Sequence, residues 1–222
     1  MRKAFILFAA FLLASAVSYA QTEKGNQTLG LNLGFNYNKT TGVSINTFDN
    51  SSVDAGSKTT SFNIGPSYSY FIADKLDLGA AVSYGQSNST YPDIPNNLSK
   101  TSSYAFISSV YLRKYMMFMD KLGLRAGPYL GYERGDNKYS YSGTDIFNNE
   151  NSKQDEYDAG AKLDLVYYPS KKLGFAASIA SVNYSHVKFD NGNSGHTSSD
   201  NVGVGFINNN LAFSVFYVLD SK

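Results

Sequence analysis

Apolar residues recur at every second position along most of this chain. The stretch TLGLNLGFNYN (28–38) sets the pattern: Leu29, Leu31, Leu33, Phe35 and Tyr37 share one side of an extended backbone, and Gly30, Asn32, Gly34 and Asn36 share the other. A period of two predicts a β-strand. Seven further segments repeat it. They are Phe62–Tyr70, Leu76–Tyr84, Tyr104–Leu112, Leu122–Tyr132, Tyr157–Tyr167, Leu173–Tyr184 and Val202–Tyr217. The last two change phase, near Ala180 and near Asn208–Asn210, which predicts two β-bulges that roughly face each other. No stretch between the strands shows helical periodicity. Connections alternate strictly between long polar segments (39–58, 86–101, 134–155, 188–200) and short turns (72–75, 117–121, 169–172). In an up-and-down meander all long loops then leave at one end and all short turns at the other, the plan of transmembrane barrels.

The alternation does not say which face points inward; the second face decides it. That face is rich in Gly, Ala, Ser and Asn, as at Gly30, Gly34, Gly65, Ser67, Gly79, Gly127 and Gly131. Small residues suit the crowded lumen of an eight-stranded barrel, which is barely wide enough for side chains. A soluble barrel of lipocalin type would carry Lys and Glu there instead. The strand charges Asp77, Arg113, Arg125, Glu133, Asp158, Lys162 and Asp164 all fall on the small-residue face, and the regular apolar series carries none. In lipid a basic residue at the midplane costs about 2–4 kcal/mol. Inside, the seven charges can pair, as a plug or as the lining of a small pore; the narrow interior favours the plug. On the apolar face Tyr37, Tyr84, Tyr104, Tyr132, Tyr157 and Tyr184 sit beside long loops. Tyr70, Tyr167 and Tyr217 sit towards the turns or the C-terminus. Two belts of aromatic rings are the interfacial girdles of a membrane barrel. Lys114, at a turn end, can snorkel to the interface.

Composition narrows the picture further. The 222 residues include 19 basic and 18 acidic ones, for a net charge of +1, which gives no sign of nucleic-acid binding. Cysteine is absent, which excludes disulfides and thiolate metal sites. Arg2 and Lys3, the apolar run AFILFAAFLL (4–13) and Ser18-Tyr19-Ala20 form a secretory signal peptide, residues 1–20, with cleavage expected before Gln21. Residues 21–222 are expected to form one outer-membrane β-barrel domain. No later segment has enough consecutive apolar residues for a membrane helix.

With its leader, its eight amphipathic strands, Gly-rich stretches such as LGLNLGF (29–35) and the aromatic last strand LAFSVFYVL (211–219), the chain resembles the porin-like outer-membrane β-barrel domain family, with the small OmpA/OmpX-type barrels. The resemblance implies an all-β, eight-stranded antiparallel up-and-down transmembrane barrel in a Gram-negative outer membrane, with periplasmic termini. Its partners would be outer-membrane lipids, the barrel-assembly machinery during insertion, and an extracellular surface partner reached through the long loops. It implies no cofactor and no metal. The family's last strand often ends on a terminal aromatic; here Leu219-Asp220-Ser221-Lys222 follow Tyr217.

Candidate chemistry is sparse. Arg134-Gly135-Asp136 opens the third predicted long loop, where a three-residue match to an integrin-binding motif is weak. His186 follows Ser185 on the upper seventh strand, but a catalytic pair needs an orienting acid, and none is expected on that face. DNGNSGHTSSDN (190–201) offers oxygen ligands without the carboxylate spacing of a calcium loop. No enzyme is expected. A structural or surface-interaction barrel is the leading reading, with a small-solute pore second. A lipid-modifying enzyme and a soluble ligand-binding barrel come behind.

Overall fold

The computed structural model describes residues 20–45, 52–54, 56–91, 98–141, 151–190, 195–206 and 211–219. Eight long strands close into a ring: β1 (Gln27–Thr40), β4 (Ser57–Ala73), β5 (Leu76–Thr90), β6 (Leu98–Met117), β7 (Leu122–Tyr141), β8 (Asn151–Tyr167), β9 (Leu173–Asp190) and β11 (Leu211–Leu219). Every pairing is antiparallel. The ring closes where β1 meets β11, from Gln27↔Leu219 to Phe35↔Leu211. Closure leaves the lower wall without a free edge, the condition for a sheet in lipid. A small hairpin, β2 (Val43–Ile45) with β3 (Ser52–Asp54), stands in the first long connection.

The apolar series faces outward. Leu29, Phe35, Phe106, Val110 and Leu130 are all more than half exposed, Leu130 at 60%. The large apolar side chains of a water-soluble domain would be turned inward instead.

All four predicted long loops prove to be partly wall. β6 and β7 are 20 residues each, whereas about 9–11 residues suffice to cross a bilayer. The strands therefore continue past the apolar band through 86–90, 98–101, 134–141, 151–155 and 188–190. There Ser and Thr hydroxyls pair across strands, as in Thr59–Ser89 at 2.9 Å and Ser61–Ser87 at 2.7 Å. A wall standing clear of lipid has no reason to be apolar on either face, so its sequence reads like a loop.

The expected eighth strand is two strands. β9 pairs with β11 up to Ala177↔Phe213, and then with β10 (His196–Phe206) from Ala180↔Phe206 upward. The register of β8 against β9 skips Ile179, which is the bulge expected near Ala180. The second expected bulge, at Asn208–Asn210, lies outside the described residues. Among the described residues β10 pairs with β9 alone, and β1 beyond Phe35 pairs with β4 alone. Val202, Val204 and Phe206 on β10 are accordingly at least 69% exposed.

The turn end of the barrel is filled. Phe71, Tyr115, Val166, Tyr168, Ala176, Phe216 and Val218 form a buried cluster. Phe71 lies 5.3 Å from Tyr115, and Tyr168 meets Phe216 edge to face at 5.6 Å between centroids. The segment before β1 runs beneath this cluster. Gln21 Nε2 donates to the Ser170 carbonyl (3.3 Å), the Lys75 amide to the Thr22 carbonyl (2.7 Å), and the Gly25 amide to the Phe71 carbonyl (2.9 Å). Gly25 has a φ of 94°, a conformation that costs a glycine little. Gln21, Thr22 and Asn26 are buried as a result.

Candidate functional site

The seven strand charges separate into three levels of the lumen. At the turn end lies a hydrogen-bonded network. Asp77 on β5 is fully buried and faces Arg113 on β6 in register. Arg113 donates from Nε to Asp77 Oδ1 (3.0 Å) and from Nη2 to Oδ2 (2.5 Å). Ser69 (2.8 Å) and Tyr115 (3.1 Å) donate to the same Oδ2, and Ser69 bonds Thr28 at 2.6 Å. The neighbouring pair repeats this on β7 and β8: Arg125 Nε donates to Asp164 Oδ2 (2.7 Å), and the Ser178 hydroxyl to Oδ1 (2.6 Å). At Asp77 the bidentate fork holds carboxylate and guanidinium in one geometry. The Arg113 guanidinium also stacks on Tyr111, 3.9 Å from the ring centroid.

Above the network the lumen opens into a cavity of about 280 Å³, lined by Arg113, Arg125, Asp164, Lys162, Tyr111 and Tyr129 among smaller polar and apolar side chains. The Lys162 ammonium sits 4.3 Å from the Tyr129 ring centroid. Among the described residues no carboxylate lies within 4 Å of it. A second cavity of about 430 Å³ shares Asn63, Ile107 and Ala212 with the first and continues towards the loop end, where Glu133 lines it. Glu133 stands opposite Glu156 in register, and Asp158 follows two residues later on the same face. The sequence alone leaves all three cations free to face all four acids. Instead Arg113 and Arg125 take Asp77 and Asp164, and Glu133 and Asp158 stay above without a basic partner within 4 Å among the described residues. Glu156, Tyr115 and Tyr111 were not singled out from the sequence. Glu156 was hidden because it follows directly on a segment that reads as loop.

The outward tyrosines fall at two heights. Tyr37, Tyr84, Tyr104, Tyr132, Tyr157 and Tyr184 stand towards the loop end, and Tyr70, Tyr167 and Tyr217 towards the turns. Two of the upper set are hydrogen-bonded to acids: Tyr132 donates to Asp155 and Tyr184 to Asp200, both at 2.6 Å. Lys114 faces outward at the turn end and donates to the Asp74 carbonyl at 3.4 Å.

Two readings of the upper wall need correction. An acid does stand on the outer face beside His186: Asp200 is its register partner on β10, with Nδ1 to Oδ1 at 2.8 Å. The expectation failed because 196–200 reads as loop but pairs as strand. Ser185, one residue away on an alternating strand, points inward and is buried, so Ser185 and His186 lie on opposite faces. Arg134-Gly135-Asp136 is not in a loop either. It pairs on both sides, with 104–106 on β6 and 153–155 on β8. Of the segment 190–201, residues 191–194 lie outside the described residues and His196–Asn201 belong to β10.

The family model for the outer membrane protein beta-barrel domain matches residues 19–180. No functionally curated protein matches the chain. Among solved structures, Ail, the attachment invasion locus protein of Yersinia pestis, is 15% identical, with 88% of this chain and 99% of that chain covered and a TM-score of 0.38. The outer membrane protein OprG from Pseudomonas aeruginosa is 13% identical over 90% of this chain and 99% of its own, TM-score 0.45. A major outer membrane protein from Thermus thermophilus is 9% identical over 87% and 99%, TM-score 0.45. With a family model matching well over half of its length, the chain belongs to the outer membrane protein β-barrel domain family, and it is a barrel protein of the Gram-negative outer membrane.

Proposed function

We propose that this protein is a non-conducting surface barrel. Both ends of the chain lie on the periplasmic side, and the tall upper wall and its loops are presented outward to other surfaces or ligands. The observation that carries this reading is the closed turn end. Asp77, Arg113, Arg125 and Asp164 fill the lumen there together with Phe71, Tyr115, Tyr168 and Phe216, over a chain segment tied across the turns. Freely conducting porins use about twice as many strands. The two tyrosine belts and the uncharged band between them support seating in lipid, with the short turns inside. Residues 1–20 act in this reading as the leader that directs export.

Planar-bilayer recording of the folded protein tests the closure. A silent membrane is expected. Steady single-channel steps that change on Arg125→Ala would make the protein a small pore instead. Orientation is tested separately: a cysteine at Asn148 is expected to react with an impermeant maleimide on intact cells, and one at Ser170 only after the outer membrane is opened. Equal reaction at both would overturn the topology.

A further inference from the structure

The lumen is blind at the turn end and open towards the loop end, and it keeps one cation and a group of three acids at different depths without an ion pair between them among the described residues. Lys162 is enclosed by the barrel wall on all sides, yet its side chain is open to the luminal cavity. Both carboxylates at its level are engaged, Asp77 by Arg113 and Asp164 by Arg125 and Ser178. That leaves the lower cavity with one cation in excess, held over the face of Tyr129 where a cation is favoured. Four residues further out on β8, about 13 Å along the strand, stands Asp158, with Glu156 and Glu133 beyond it on the same inner face. Like charges directly opposite each other in a sheet are destabilising, and Glu133 and Glu156 are register partners. Among the described residues no basic group comes within 4 Å of any of the three. An internal plug would have joined Lys162 to an acid in an ion pair. Here Lys162 feels the charges of Asp158 and Asp164 through space, but among the described residues no carboxylate comes within 4 Å of it, and its side chain lines the open cavity.

We propose that this outward-open lumen binds a small zwitterionic solute, its anionic group on Lys162 beside Tyr129, its cationic group between Glu133, Glu156 and Asp158. The hydroxyl and amide groups of Ser109, Asn63 and Ser83, which line the same cavities, offer polar contacts along its length. A simple anion gains Lys162 but must pass and face the acids, and a simple cation meets the reverse arrangement. Only a solute bearing both signs complements both ends, so the arrangement selects by charge separation as well as by size.

Isothermal titration of the folded protein in detergent tests this with three probes of matched length. They are ε-aminocaproate, its anion-only relative ε-acetamidocaproate and its cation-only relative ε-aminocaproamide. Aminocaproate is expected to bind, with each half-neutral relative at least ten-fold weaker. Lys162→Met is expected to weaken aminocaproate ten-fold or more. The paired substitution Glu133→Gln with Glu156→Gln is expected to weaken aminocaproate similarly while sparing acetamidocaproate. Equal affinity for all three probes, unchanged binding in both variants, or no heat at millimolar probe would overturn the proposal. The probe comparison needs no variant, so a Lys162 variant that fails to fold leaves it decisive. Conductance and titration are separate readouts: a conducting barrel that still discriminates the probes would overturn the closed-barrel reading alone.

Discussion

Asp77 shows what a single side chain does in this lumen. It has no exposed surface and accepts from Arg113, Ser69 and Tyr115. Removing one partner of such a buried pair costs about 3–5 kcal/mol, because the other charge is left without compensation. Asp77→Ala is therefore expected to strand the Arg113 guanidinium and to lower the urea midpoint of the folded barrel sharply. Adding Arg113→Met should restore much of the loss, since both charges are then gone. Full additivity of the two substitutions would show that the pair is not coupled. The opposite signs at 77 and 113 were visible in the sequence. That Arg125 rather than Lys162 takes Asp164 in an ion pair was not, because which cation meets which acid depends on strand register, and register is set by turn geometry as well as by the alternation.

At the scale of the strand, the alternation identified seven crossings of the ring and the face each one turns inward, and it ran the eighth, β11, together with β10 as a single strand. It failed where lipid ends. From 134 to 141 and from 151 to 155 the sequence reads as polar loop, yet the strands run on and pair there. Hydrogen exchange followed by mass spectrometry should find these amides protected like those of the apolar band; rapid exchange there would restore the loop reading. β10 should exchange faster than its partner β9, because among the described residues it is paired on one edge only. Two Gly-Pro pairs mark further local departures. A Cβ on Gly65 would fall 2.0 Å from the Val82 carbonyl oxygen, and one on Gly127 would fall 1.8 Å from that of Leu112. Proline supplies no ladder donor, and the pairing is interrupted at Pro66 towards β5 and at Pro128 towards β6. The dipeptides were plain in the sequence; the close approach of the neighbouring backbone was not, since nothing in the composition of either strand encodes it.

For the molecule as a whole, the two ends are built to different rules. The turn end is packed and apolar around a buried ionic network; the loop end is polar, with Glu133, Glu156 and Asp158 on its inner face. The segment 21–26 belongs to the first, as its bonds to Phe71, Lys75 and Ser170 show. Deleting residues 21–25 is expected to lower thermal stability, read as the temperature at which the compact band is lost in electrophoresis, while leaving the barrel able to form. An unchanged transition would mean that the segment does not brace the end. Nothing in the stretch QTEKGN announced this role, since it has neither period nor apolar content and owes its burial to the turns above it.

Closure by β1 and β11 has a consequence in time. Every other wall contact on the turn side of the ring is made between strands that follow one another along the chain or are separated by a short insertion, and such hairpins can form as soon as both arms exist. Gln27 and Leu219 come together only after almost the whole polypeptide has been made and ordered. No local hairpin helps to form that seam, so it closes last. Until it happens, two unpaired edges face outward at once, each able to capture a strand from another copy. The interval between making the seventh wall strand and seating the eighth is therefore when this barrel is most open to error.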